Sequence, residues 1–198
     1  MILNYYYYRF TKAIPKNICE KIINLGKEKK LEKAKIDDQK KTAPKTKRDS
    51  KIIWLNDQWI YELIQPYLNE ANKAAMWNFN IDWNESLQFT VYKKEQHYTW
   101  HPDQSVNPYN NKKDLNFDGK IRKISMSLNL SDPSEYKGGE LNFCWKDKNM
   151  KDVIVKDKEF KQQGSLIFFP SFVWHKVSPI TSGTRYSLVM WSIGKPFA

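Results

Sequence analysis

Residues 164–179 read GSLIFFPSFVWHKVSP. The run Leu166 to Phe169 is a short apolar stretch with a turn signal on each side, which predicts a buried strand over 164–169. Pro170 ends it, and a second strand over 174–178 begins near His175. Phe172, Val173 and Trp174 make the approach to His175 apolar, and an unpaired imidazole is costly in such surroundings. His175 therefore needs a partner, and either a metal ion or a backbone carbonyl satisfies it.

Ten residues further on, Gly183-Thr-Arg185-Tyr-Ser187-Leu-Val-Met-Trp191 predicts a strand over 185–193. Side chains alternate between the faces of a strand, so Arg185, Ser187, Val189 and Trp191 share one face. An arginine pointing into an apolar barrel requires an anion, and a carboxylate suits its planar fork. Acidic residues are scarce in the adjoining strands, so a ligand carboxylate is the expected partner; an edge arginine reaching solvent also fits this stretch alone.

Upstream, Gln96-His-Tyr-Thr-Trp-His101-Pro-Asp103 adds two more donors. In an extended segment over 97–103, His101 and Asp103 lie on one face. With His175 they complete two imidazoles and one carboxylate, the facial triad of non-haem iron oxygenases. Taken alone, the pair equally fits a histidine hydrogen-bonded to an aspartate at a strand end. His97 falls on the same face as His101 but about 13 Å away at ~3.3 Å per residue, so it is expected at the surface or in a supporting role.

Further period-two stretches predict strands over 87–92, 121–130, 140–145 and 152–156. Before them, Ile18, Ile22 and Leu25 recur at helical spacing over 15–26, with Pro15 in the first turn and Gly26 as a stop. A second helix is expected over 57–75, with Ile60, Leu63, Ile64, Tyr67 and Ala71 on its apolar face and Pro66 as an interior interruption. Between the helices, about 27–51 is charged and holds Pro44; it reads as a loop or frayed helix, a candidate flap or substrate-gripping segment. The expected class is mainly β (α+β): a jelly roll with N-terminal helices packed against it. One domain is expected over 1–198, a helical buttress over 1–78 and the β core over 79–198.

The chain has 198 residues, a net charge of +11, 8 Trp, 11 Tyr, 10 Phe and only two cysteines. Much of the positive excess lies in 27–51, where a solvated charge run explains it as well as an acidic partner does. Two cysteines exclude a disulfide framework, and no run approaches the ~20 apolar residues of a membrane span. The expected compartment is the cytoplasm, the host's if the chain is phage-encoded.

The order His101-X-Asp103, His175, Arg185 resembles the Fe(II)/2-oxoglutarate-dependent dioxygenase superfamily. Tyr92 with Tyr98-Thr-Trp-His101-Pro-Asp103, Ser127-Leu-Asn-Leu-Ser-Asp-Pro, Tyr136-Lys-Gly-Gly139-Glu-Leu and Arg185-Tyr-Ser-Leu-Val resemble its prolyl 4-hydroxylase-like branch, including bacterial and phage members. The resemblance covers about 85–194. It implies a double-stranded β-helix in which His101, Asp103 and His175 hold Fe(II). It further implies 2-oxoglutarate and O2 as cosubstrates, ascorbate as a reductant, and hydroxylation of a C–H bond with release of succinate and CO2. Arg185 would bind the distal carboxylate, with Tyr92, Ser187 and Asn129 as further contacts; Asn129 stands where the branch often has a tyrosine. Trp100 and Trp191 are candidate substrate contacts, and a prolyl residue of a protein or peptide is the substrate the branch implies. A nucleic-acid oxygenase is the alternative that the charge invites, although Trp191 stands where that group carries a second arginine. A free small molecule as substrate, a metal such as Mn or Ni, and a non-catalytic β-barrel binding module are the other readings.

Overall fold

The computed structural model of the chain describes residues 3–29, 32–33 and 46–197. In chain order the elements are β1 (Tyr8–Phe10), α1 (Lys16–Lys27), β2 (Glu32–Lys33), β3 (Arg48–Asp49), β4 (Lys51–Leu55), α2 (Gln58–Ala74), β5 (Trp83–Asn84), β6 (Leu87–Tyr92), β7 (His97–His101) and β8 (Ile121–Asn129). There follow β9 (Tyr136–Gly138), β10 (Leu141–Lys146), β11 (Asp152–Lys156), a 3-10 turn at Lys158–Lys161, β12 (Leu166–Pro170), β13 (Trp174–Val177), β14 (Ile180–Gly183) and β15 (Arg185–Gly194).

The strands form a major sheet in the order β1-β12-β8-β15-β6-β4-β2, with β5 also on β15, and a minor sheet in the order β11-β10-β13-β7-β3. The two antiparallel sheets face each other as a double-stranded β-helix, and both helices cover the outer face of the major sheet. Because the middle of that sheet is covered on both sides, β6 and β12 are buried at every position. Along β12, Leu166 and Phe168 join the helix-side core, while Ile167 and Phe169 join the core between the sheets. This is why the stretch reads as a continuous apolar run rather than an alternating one.

The helices are held by burial more than by their own caps. On α2, Ile60, Ile64 and Leu68 are almost fully buried, each worth roughly 1.5–3 kcal/mol in area removed from water. Pro66 lies inside α2 without ending it, so packing of that stripe outweighs the lost backbone hydrogen bond. Gly26 does not stop α1, which continues to Lys27. Its role is close approach: a Cβ there would stand 2.6 Å from the Phe89 ring of β6.

The charged stretch differs most from the sequence reading. Residues 30–31 and 34–45 lie outside the described residues, so the flap and gripping role expected there is not addressed. Residues 48–55, however, are strand and not loop: β3 pairs with β7 of the minor sheet and β4 with β6 of the major sheet. The pattern of Ile52, Ile53 and Leu55 buried against exposed Lys51 and Trp54 was hidden by the lysines that precede it. β7 likewise ends at His101, leaving Asp103 in the turn beyond it.

Gly26→Val is expected to lower stability by about 1–3 kcal/mol through overpacking against Phe89. A urea midpoint shifted downward with an unchanged slope would show it, and an unshifted midpoint would mean the helix can move off the sheet.

Candidate metal centre and cavity

Antiparallel pairing of β7 with β13 sets His101 directly opposite His175. A register irregularity beside that pair, where Tyr98 rather than Thr99 faces Val177, breaks simple alternation along β7. Tyr98 therefore lies inward with His101, their rings stacked at 3.4 Å between centroids. His97 is turned away, its Nδ1 beside the Glu95 carbonyl at 3.0 Å in an exposed contact.

Backbone carbonyls fix both inward imidazoles. His101 Nδ1 donates to the Thr99 carbonyl at 2.7 Å and His175 Nδ1 to the Val173 carbonyl at 3.0 Å. With Nδ1 donating, the lone pair of the neutral ring lies on the inward Nε2, the arrangement that orients metal-binding histidines. The backbone N–H of Asp103 donates to the Ser171 carbonyl at 2.8 Å, which holds the turn against β12. Its carboxylate oxygens stand 3.7 Å from His101 Nε2 and 3.6 Å from His175 Nε2.

The donor atoms of His101, Asp103 and His175 all lie within 4.8 Å of one another. Neighbouring ligands of a shared octahedral ion at about 2.1 Å would stand about 3 Å apart, so small side-chain rotations close the set around a metal. Protonation favours binding as well. Burial, helped by His175, lowers His101 to about 3, so its lone pair is available at neutral pH. For Asp103, burial works upward, but His175, His101, Arg122 and a hydrogen bond from Ser125 outweigh it, and the carboxyl is lowered to about 2.

The three ligands open into a cavity of about 330 Å³ between the sheets, shared with Arg185, Ser187, Val189 and Trp191 of β15 and with Tyr92. The expected alternation along β15 is therefore found. Arg185 is 3% exposed. Its Nη1 donates to the Ser187 hydroxyl at 3.4 Å, and its guanidinium lies 5.7 Å from the centre of the Tyr92 ring. Among the described residues, no carboxylate forms an ion pair with it.

Comparison with known proteins gives this arrangement a family. Residues 87–193, more than half of the chain, match the model of the 2OG-Fe(II) oxygenase superfamily. The chain belongs to that superfamily. A PKHD-type hydroxylase of Shewanella sp. (strain MR-7) is 30% identical over 109 residues, 52% of this chain and 40% of the relative; the chain thus spans about two fifths of that relative's length. Among solved structures, the viral collagen prolyl hydroxylase of Paramecium Bursaria Chlorella virus-1 aligns with a TM-score of 0.65 at 19% identity, covering 96% of this chain and 97% of that one. A prolyl hydroxylase of Trichoplax adhaerens, in complex with a hypoxia inducible factor peptide fragment, aligns with a TM-score of 0.66 at 18% identity, covering 96% and 84%. Both likenesses concern the fold. In this 2OG-Fe(II) oxygenase, His101, Asp103 and His175 form the iron-binding facial triad, and 2-oxoglutarate is the cosubstrate that goes with it.

Two residues expected at the oxygenase site stand elsewhere. Asn129 spends its amide hydrogens on the carbonyls of Ser131 and Lys161, at 2.9 and 2.7 Å, and accepts from the Tyr136 hydroxyl at 3.3 Å. With its donors committed and no place in the cavity wall, it is a structural tie. Trp100 also lies off the cavity, beneath Lys176 Nζ at 4.9 Å.

Other wall residues were not visible in the sequence. Arg122 donates to both oxygens of Glu85, at 2.6 and 2.7 Å, and lies 4.0 Å over the ring of Trp191. Trp54, half-exposed, lies 6.2 Å from Trp191. Arg48 of β3 donates to Gln88 at 2.6 Å and stacks over Tyr98 at 4.6 Å. The partners are 37 to 137 residues apart in sequence, a separation at which no local spacing rule could pair them. Gly138 and Gly139, both at positive φ, bring the β9–β14 ribbon close enough that a Cβ on Gly139 would be 3.1 Å from Arg185 Cδ.

Arg122→Met leaves the Glu85 carboxylate buried without its counter-charge and is expected to cost about 3 kcal/mol of stability. Adding Glu85→Leu should recover most of the loss in urea denaturation; a double variant no better than the single would deny the pair this role. For the metal-free protein, stability should fall as the pH drops below 6.5, because the unfolded chain then takes up a proton that folded His101 refuses until about 3. His101→Gln should flatten that slope in midpoints measured between neutral pH and about pH 5.

Proposed function

We propose that the protein is an Fe(II)- and 2-oxoglutarate-dependent dioxygenase that hydroxylates a C–H bond, with a prolyl residue of a protein or peptide as its target. The observation that carries this reading is Arg185, buried and without a protein carboxylate among the described residues, in the same cavity as the triad. A buried guanidinium in that state calls for an anionic ligand, and a dicarboxylate meets it.

When bound, iron, 2-oxoglutarate and dioxygen together supply the oxidising power for C–H hydroxylation, with succinate and CO2 released. The chain's own residues do the holding and aiming. His101, Asp103 and His175 would hold the iron through two imidazole nitrogens and one carboxylate. Arg185 pairs with the distal carboxylate of 2-oxoglutarate, while Ser187 and Tyr92 restrict the guanidinium's orientation. Phe169, Leu141 and Val177 line the cavity with apolar surface and keep water from the reacting carbon.

The substrate reading rests on the cavity wall opposite Arg185's apolar neighbours. Trp191 is 5% exposed, lines the cavity, and its Nε1 has no acceptor. A peptide carbonyl is an acceptor of the right kind for that N–H once the ring turns to expose it, and the half-exposed Trp54 face provides a platform for the ring or chain beside it. The Trichoplax structure, with its bound peptide, supports the same class by likeness.

Anaerobic titration with Fe(II) and 2-oxoglutarate should produce the visible charge-transfer band of a chelated complex. His175→Ala is expected to abolish it, and Arg185→Ala to weaken 2-oxoglutarate binding at least about ten-fold, the loss of a charge-assisted pair. Proline-containing peptides should then gain one oxygen atom by mass. A folded, metal-loaded protein that gives no band on adding 2-oxoglutarate would sink the proposal.

A further inference from the structure

β11 ends the minor sheet. Its inner edge pairs with β10 and, among the described residues, no strand pairs with its outer edge. An open edge is a template for another chain, and proteins commonly blunt it with bulges, proline or repelling charge. β11 has neither bulge nor proline, since its pairing with β10 runs over five consecutive residues without a register shift, and the charges it carries are of both signs.

The sequence of β11 and its flanks, Lys151-Asp-Val-Ile-Val-Lys-Asp157, has an internal symmetry. About Ile154 the apolar residues mirror each other, and each charge is mirrored by its opposite. Laid antiparallel on a second copy with Ile154 at the centre, Lys151 meets Asp157, Asp152 meets Lys156, Val153 meets Val155, and Ile154 meets itself. Slipping one residue in one direction sets Asp152 against Asp157, and in the other sets Lys151 against Lys156. The charges thus select a single register, in the way like charges directly opposite each other exclude the rest.

A second observation concerns the outer face. Register places Ile154 beside Cys144 on β10, and Cys144 beside Trp174 on β13. Ile154 is 54% and Trp174 51% exposed, so a row of apolar groups runs in from the edge on the side away from inward-facing Phe143 and His175. Placing two copies edge to edge joins the two rows at Ile154.

We propose that β11 is a dimerisation strand that adds to β11 of a second copy of this chain about a two-fold axis at Ile154. The two five-stranded minor sheets become one, by a self-complementary contact of the kind that two-fold symmetry requires. Asp152 is held to Lys146 at 2.9 Å, but both side chains are more than half exposed, and such pairs exchange partners at little cost. Asp157 is engaged by Arg9, so the Asp152–Lys156 contacts, two by symmetry, are the ones that set the register. The cavity opens between the sheets, and the contact leaves it free.

Sedimentation velocity of the full chain from about 1 to about 100 μM, the range of modest protein affinities, reads the equilibrium. The unaltered chain should pass from monomer to dimer. Asp152→Lys or Lys156→Asp turns two attractive contacts into repulsive ones and should weaken the dimer about ten-fold or more. The double variant Asp152→Lys/Lys156→Asp restores opposite charges and should restore the dimer. Circular dichroism checks that each variant is folded, and Ile154→Lys, with two ammonium groups on the axis, gives an independent reading. A chain that stays monomeric throughout, single swaps without effect, or a double swap no better than the singles would each overturn the proposal.

Discussion

The pairing of His101 with His175 across β7 and β13 is the constraint around which the site is organised. Two ligands on neighbouring antiparallel strands meet on one face in only one register, and a slip by one residue would send one of them to the outer surface. The chain secures that register through backbone groups. Thr99 and Val173 hold the imidazoles, and the Ser171 carbonyl holds the turn carrying Asp103. No hydrogen bond in this set depends on a long, flexible side chain, so little conformational entropy is left to be lost when a metal arrives. The irregularity beside His175 is part of the same device, because it turns Tyr98 inward against His101.

Charge in the cavity is distributed on the same economy. Glu85 and Arg122 neutralise each other and are tied by two short hydrogen bonds. The triad carboxylate faces the position of a metal. Among the described residues Arg185 has no carboxylate partner, and a buried cation in that state can specify a ligand instead of a fold. The stabilising work elsewhere is done by the helix-covered major sheet, whose inner and outer cores hold β15 on both faces. Arg185 can be tolerated there because Leu188 and Met190, on the opposite face of the same strand, anchor it in the helix-side core.

How much of this was legible depends on the range of the physics involved. The triad and Arg185 stand in short motifs, and strand periodicity sorts β15 into a cavity face and a core face without tertiary information. The jelly roll follows from the density of short strands after two amphipathic helices. Gly26 was read as a helix stop because the sequence carries no sign of the Phe89 ring above it. Asn129 was expected at the cosubstrate only because it stands where the resembling branch often has a tyrosine, whereas the carbonyls of Ser131 and Lys161 that claim its amide come from turns. The strand at 51–55 was obscured because the lysine-rich stretch 27–51 runs into it, and because Ile52, Ile53 and Leu55 buried beside exposed Trp54 follow no simple period of two. Glu85, Arg122 and Trp191 converge from three separate strands or turns, and no one-dimensional pattern marks that convergence.

The residues at 48–55 carry a consequence beyond their role as an extra strand. With only Ser50 between them, β3 joins the minor sheet and β4 the major one, so this short segment spans from one sheet to the other at the cavity. Arg48 makes the tie chemical as well as topological: it bonds to Gln88 of the major sheet and stacks on Tyr98 of the minor sheet, which stacks in turn on the ligand His101. Separation of the sheets would therefore have to break a buried charge-assisted hydrogen bond and unstack a ring from a metal ligand. The geometry of the triad is thus coupled to a part of the chain that supplies no ligand, and the spacing between the sheets, which fixes the width of the cavity, is held from its edge as well as from its core.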